Sequence, residues 1–181
     1  MKKIFTSLLP IIALTVLISL DSTTSYAQER REGVRVSPNA AVSQNIGATV
    51  VNVTYGRPGL KGRSLESLAP ADQVWRTGAN ESAAITFSTD VMFGGKMVEA
   101  GTYSLYTIPG DNWTIIINDK LSWGTQYDDS ADVIRVPAAF TTTEATEMEW
   151  FSIYFDTLSE TKVHLNLHWG TTLTAVPITI K

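Results

Sequence analysis

The sequence predicts an all-β protein, a single-domain antiparallel β-sandwich, and three observations carry that expectation. Apolar residues recur at every second position in run after run, glycine-bearing reversals separate the runs, and a helical period appears only once and briefly. Alternation with one polar face suits two sheets packed face to face, each with a wet outer side. About eight short strands with close reversals fit a sandwich or barrel rather than a parallel sheet with crossover helices.

The runs follow in chain order. Val51, Val53 and Tyr55 share one face of the first, and Ile85 and Phe87 one face of the second. Tyr103 and Leu105 come next, then Trp113, Ile115 and Ile117. Phe151, Ile153 and Phe155 repeat the pattern, as do Val163, Leu165, Leu167 and Trp169, and finally Val176, Ile178 and Ile180. Gly94-Gly95 sits between Val91-Met92-Phe93 and Lys96-Met97-Val98 and supplies the positive φ of a tight hairpin. Ala100-Gly101, Pro109-Gly110-Asp111 and Asp128-Asp129 mark further reversals. Leu65 and Leu68, behind a Ser64 cap, predict one or two helical turns.

The start of the chain reads as an export signal. Lys2 and Lys3 precede an apolar stretch from Ile4 to Leu20, and Ser25-Tyr26-Ala27 offers small residues at a cleavage site. We therefore expect a signal peptide over residues 1–27, a polar N-terminal lead-in over 28–47 and the sandwich over 48–181. The protein is then exported, to the periplasm or beyond, with no membrane span once the signal is cut. The remaining length can bury roughly 68–70% of its unfolded surface, enough for a core without staples. The chain has no cysteine, which excludes disulfides, thiolate nucleophiles and cysteine-ligated zinc. Charged residues are only 18% and the net charge is −4, a poor match to a nucleic-acid binder.

The densest group of unusual chemistry lies between the first two strands. It opens Tyr55-Gly56-Arg57-Pro58-Gly59-Leu60-Lys61-Gly62-Arg63-Ser64 and closes Trp75-Arg76-Thr77-Gly78-Ala79-Asn80-Glu81. Arginine forks bind carboxylate or phosphate, glycines let backbone N–H groups approach a ligand, and Trp75 offers an apolar face. Arg57, Lys61, Arg63, Trp75, Arg76, Asn80 and Glu81 are thus the candidate ligand-binding residues. A solvated connection whose arginines pair with acidic neighbours is the plainer alternative. A phosphate loop fails, because five residues separate Gly56 from Gly62 and Arg63 stands where lysine is needed.

Other clusters point less far. His164 and His168 are four apart on an alternating segment, so one metal cannot join them, and both are expected on an exposed polar face. Asp128, Asp129 and Asp132 match no calcium loop and read as turn formers. Of the five tryptophans, Trp113 and Trp169 fall on core faces, whereas Trp75, Trp123, Trp150 and Tyr127 could form a stacking surface. No metal or other cofactor is implied. The leading expectation is a domain that binds a small molecule, glycan or peptide. The alternatives are a hydrolase using Glu81 or a histidine with Arg76 as substrate anchor, and a structural part of the cell envelope.

A family resemblance rests on several of these residues together. Ser37-Pro38, Val42-Ser43-Gln44, Ile46-Gly47, Tyr55-Gly56-Arg57-Pro58, Lys61-Gly62-Arg63, the Trp75 to Glu81 run, Gly101 to Pro109 and Trp113 resemble the bacterial domain-of-unknown-function family numbered 2911. Gly56, where serine is expected, and His168-Trp169-Gly170, where a more acidic end is expected, depart from that pattern. The resemblance implies an exported protein with a β-rich fold, found mostly in Bacteroidetes-type bacteria. It implies no reaction, and so no catalytic residue.

Overall fold

The computed structural model describes residues 35–180; the expected signal peptide and the first part of the lead-in lie outside the described residues. Twelve strands among the described residues build two antiparallel sheets. The first sheet runs β1 (Asn39–Ile46), β2 (Thr49–Gly56), β3 (Ala83–Phe87), β6 (Gly101–Ile108), β7 (Thr114–Asn118) and β8 (Asp132–Pro137), in that spatial order. The second runs β10 (Met148–Ser159), β11 (Lys162–Gly170), β12 (Thr172–Thr179), β4 (Val91–Phe93) and β5 (Lys96–Val98), and β9 (Phe140–Thr142) also pairs with β12. The β4–β5 hairpin therefore leaves the first sheet between β3 and β6 and joins the second. No helix among the described residues is long and apolar enough to cross a membrane.

Alternation decides what lies between the sheets. Val51 and Val53 of β2, Ile85 and Phe87 of β3, Leu105 of β6, and Ile115 and Ile117 of β7 point inward and are buried. Phe151 and Ile153 of β10 meet them from the other side, with Val163, Leu165, Leu167 and Trp169 of β11 and Val176 and Ile178 of β12. The read faces of all seven runs are inward, although Phe155 and Ile180, near strand ends, are only partly covered. Gly94 and Gly95 both have positive φ, 57° and 82°, and close the β4–β5 hairpin as two successive left-handed residues must. Ser64 caps the single four-residue helix α1 (Leu65–Leu68) by accepting from the Ser67 N–H at 3.2 Å.

The sandwich starts earlier than residue 48. β1 pairs along its whole length with β2, from Asn39 opposite Gly56 to Ile46 opposite Thr49. Of its inward positions, Ala40, Val42 and Gln44 are only half-buried and Ile46 alone is fully buried, as befits an edge strand. Weak alternation of that kind hides a strand from the sequence.

The connection from β2 to β3 closes one end of the sandwich. Its backbone bridges to both sheets, Gly59 opposite Trp150 of β10 and Trp75 opposite Thr107 of β6. Leu60, Ala69 and Trp75 plug the gap between them. The two ends of the connection cross so closely that a Cβ on Gly56 would stand 2.2 Å from the Ala79 carbonyl oxygen. Gly56→Ala should therefore destabilise the fold by about 2–3 kcal/mol or more, since backbone rather than a flexible side chain must yield. Urea denaturation checks this; a midpoint within error of the parent would mean the crossing is looser than described.

Candidate functional site

The connection holds its shape under strain. All four non-glycine residues with positive φ among the described residues, Lys61, Asp72, Thr77 and Asn80, lie within it. Thr77 is the most constrained, because a β-branched side chain crowds the left-handed region. It is fully buried, and its hydroxyl meets that of Thr107 at 3.2 Å. The reason for the strain is Trp75. Its backbone forms a reciprocal pair with Thr107, donating at 2.7 Å and accepting at 2.9 Å, which turns its ring inward. There it stacks on Trp169 at 5.5 Å and 16°, and meets Phe151 and Trp113 edge-on at 4.9 and 6.1 Å. Trp75 is core, not ligand surface.

Two of the three arginines of this connection are committed to main-chain carbonyls. Arg57 donates from Nε to Phe151 O at 3.0 Å and from a terminal nitrogen to Ser152 Oγ at 2.8 Å, clamping β2 to β10. Arg63 donates to Leu60 O and Gly59 O, both at 3.0 Å, and so ties off its own turn. Lys61 lies over the Trp150 ring at 5.6 Å, while its backbone N–H donates to a Glu149 carboxylate oxygen at 2.8 Å. The first half of the predicted site is thus a structural buckle between the sheets.

Arg76 differs. Strand-like geometry that turns Trp75 inward turns Arg76 to the outer side of the first sheet, where the Trp75–Thr107 pairing sets it in register with Tyr106. Its side chain lies across Gly124 so closely that a Cβ there would sit 2.0 Å from Arg76 Cδ. Its Nε is buried and has no hydrogen-bond partner. Asn80 flanks it through the backbone, its carbonyl accepting from Gly124 N at 3.2 Å.

Glu81 does not serve Arg76. Its carboxylate receives both terminal nitrogens of Arg35, at 2.7 and 2.8 Å, and Arg35 also donates to Asn39 at 3.1 Å. That fork holds the Arg35 guanidinium above its ordinary pKa, chiefly through the hydrogen bond itself. Arg35, 46 residues from Glu81, had no local signal to announce it. Gly124 was equally hidden, since its importance is the space it leaves.

The segment from Asp119 to Ala131 covers the outer side of β6 and β7. Tyr127 packs edge-on against the buried Tyr106 at 4.8 Å and donates to Asp132 at 2.6 Å; burial, then that bond, raises its pKa well above the usual phenol value. Ser104 and Ser82 exchange a hydroxyl contact at 2.8 Å and reach the carbonyls of Lys120 and Ser122. Asp128 caps the 3-10 turn Asp129–Ala131 as a turn former, whereas Asp132 opens β8 and its carboxylate accepts from Asn118, Tyr127 and Arg135. Among the described residues no group of three or more possible metal ligands occurs. Trp123, at 42% exposure, bridges by backbone to Glu81, but Trp75 and Tyr127 are committed elsewhere and no common stacking face results.

The histidines require a correction. Both lie on the outer face of β11 as expected, but His168 is only 6% exposed and His164 is half-buried beside Phe140. His168 Nε2 donates to Thr146 O at 2.9 Å, the only role a carbonyl partner permits. Neighbouring segments fold over this outer face, something strand alternation alone cannot show. A cleft of about 640 Å³ opens at the opposite end of β2, lined by Thr49, Thr89, Asp90, Met92, Met97 and Ile180 among others. None of the predicted site residues lines it.

Fold and site together define a two-sheet β-sandwich whose end cap displays one half-buried arginine with an unmet donor. The chain belongs to the family of proteins of unknown function designated DUF2911, which matches residues 37–178, from just before β1 to within β12. No curated protein and no solved structure matches it.

The segment whose Gly124 lies against Arg76 should respond to acid. The Ser130 hydroxyl, then Lys120, hold the Asp128 carboxyl below its ordinary 3.8. A depressed folded pKa stabilises fully above that ordinary value and progressively less as pH falls through the folded one. Ser130→Ala should therefore flatten the loss of melting temperature below pH of about 4. An acid limb identical to the parent's would deny Asp128 this role.

Proposed function

We propose that the protein is an exported binding domain that takes a small anionic ligand, a carboxylate or a phosphate, on Arg76 at the capped end of the first sheet. The observation that carries this reading is the buried Arg76 Nε without an acceptor. Leaving a buried donor unmet costs roughly 1–3 kcal/mol, and more on a charged group, so such atoms in folded proteins call for a reason. An anion drawn to the half-buried guanidinium supplies it once Nε opens to the ligand, since a charge-assisted bond contributes about 1.5–3 kcal/mol. The seven predicted residues reduce to one anchor, Arg76, with Asn80 beside it; Arg57, Lys61, Arg63, Trp75 and Glu81 build the frame. A peptide carboxyl terminus or an acidic sugar presents the same group as a small organic acid. Export is supported by Lys2, Lys3, the apolar run to Leu20 and Ser25-Tyr26-Ala27, together with the lack of cysteine.

The hydrolase alternative gains nothing from the geometry. Glu81 is held in a fork by Arg35 beside the first sheet, whereas His164 and His168 belong to β11 of the second.

Thermal-shift titration of the mature protein with acetate, succinate and inorganic phosphate tests the reading. At ten times Kd a ligand adds about 1.4 kcal/mol, a shift of roughly 3–5 °C for a domain of this size. Arg76→Met should abolish the shift without lowering the ligand-free melting temperature, because it removes an unmet donor. Arg57→Met should do the reverse, lowering stability and keeping the shift. A shift that survives Arg76→Met intact would reject this anchor.

A further inference from the structure

We infer that the outer face of the second sheet carries a separate saccharide site, centred on Asn166 and independent of Arg76. The starting point is the second unmet polar atom among the described residues. Asn166 is fully buried; its Nδ2 donates to Asp156 Oδ2 at 2.7 Å, which fixes the amide's orientation, and its Oδ1 has no donor at all. A buried amide needs a reason for an empty acceptor as much as a guanidinium needs one for an empty donor.

Strand register identifies what surrounds it. On β10, Tyr154 stands opposite Asn166 and Asp156 opposite His164. On β12, the small Ala175 lies opposite Asn166, and Phe140 of β9 stands next to Ala175. His164 and His168 flank Asn166 along β11, with ring centroids 5.8 Å from Phe140 and 6.4 Å from Tyr154 respectively. The result is an amide oxygen and a carboxylate at the base of a ring of flat side chains.

That combination selects hydroxyl groups on a carbon ring. One hydroxyl donates to Asn166 Oδ1 and its neighbour to the free oxygen of Asp156, while the C–H face of the sugar lies on Tyr154 or Phe140. An organic ammonium is less well matched, because the same face already carries Arg57 at Ser152 and Lys162 at the far end of β11. An anion is excluded by Asp156. The acceptor is closed from water, and the half-exposed Tyr154 stands opposite Asn166, so entry of a sugar requires that ring to move aside.

Titration of the isotope-labelled protein with glucose, galactose, mannose and N-acetylglucosamine, each to about 0.1 M, covers dissociation constants up to tens of millimolar. The expected result is saturable movement of the Asn166 side-chain amide and Tyr154 ring signals by at least one sugar, unchanged in Arg76→Met. Asn166→Leu, similar in volume, should weaken binding at least tenfold, while the loss of its bond to Asp156 lowers the ligand-free melting temperature only slightly. Asp156→Asn, which keeps an acceptor for Asn166, should weaken it about threefold. No movement with any sugar overturns the proposal, as does movement confined to other residues. So does binding by Asn166→Leu as tight as the parent's.

Discussion

The stack of Trp75 on Trp169 is the contact on which the capped end of this protein depends. Trp169 belongs to the second sheet, while Trp75 belongs to a connection paired with the first, so one ring pair joins the two layers. Phe151 and Trp113 complete the cluster at edge-on angles that aromatic quadrupoles favour. Because successive side chains of an extended segment point to opposite sides, a buried Trp75 obliges Arg76 to face out. The outward-facing arginine is a consequence of the buried tryptophan.

A second constraint keeps that arrangement rigid. Gly56 and Ala79 cross backbone to backbone, and Thr77 and Asn80 adopt left-handed conformations to make the crossing possible. Strain of this kind costs of order 1–3 kcal/mol per residue and persists only where packing over-determines it. Here the determinants are named: the Trp75 cluster inside, the Arg57 clamp to β10, and the Arg35 fork on Glu81 outside. Rigid loops at the end of a stiff scaffold are where binding groups are best held. The two buried atoms without partners, one donor and one acceptor, then stand on the outer faces of different sheets.

Much of the fold was legible in the sequence because it rests on local rules. Alternation marks which side chains face inward from Val51 to Ile180, and Gly94-Gly95 and Ser64 announce their hairpin and cap by conformational preference alone. β1 was not legible, since an edge strand half-covered by alanine and glutamine lacks the contrast that marks a central one. The run from Trp75 to Glu81 stood out as unusual, but its residues could not be sorted there into frame and free side chains. Sequence cannot tell an arginine that will find a carbonyl across a sheet from one that will not, and Arg57 and Arg76 look alike until the partners are placed. His168 shows the same limit: its face of β11 was foreseeable, but the cover over that face was not.

The most direct test of the central claim is to watch the arginine Nε–H resonances during titration with a carboxylate. The Arg76 Nε–H, lacking an acceptor, should move and saturate, while those of Arg57 and Arg63, already bonded to carbonyls, should stay in place. Movement of Arg57 or Arg63 with Arg76 unchanged would contradict the assignment of Arg76 as the anchor and of its neighbours as the frame.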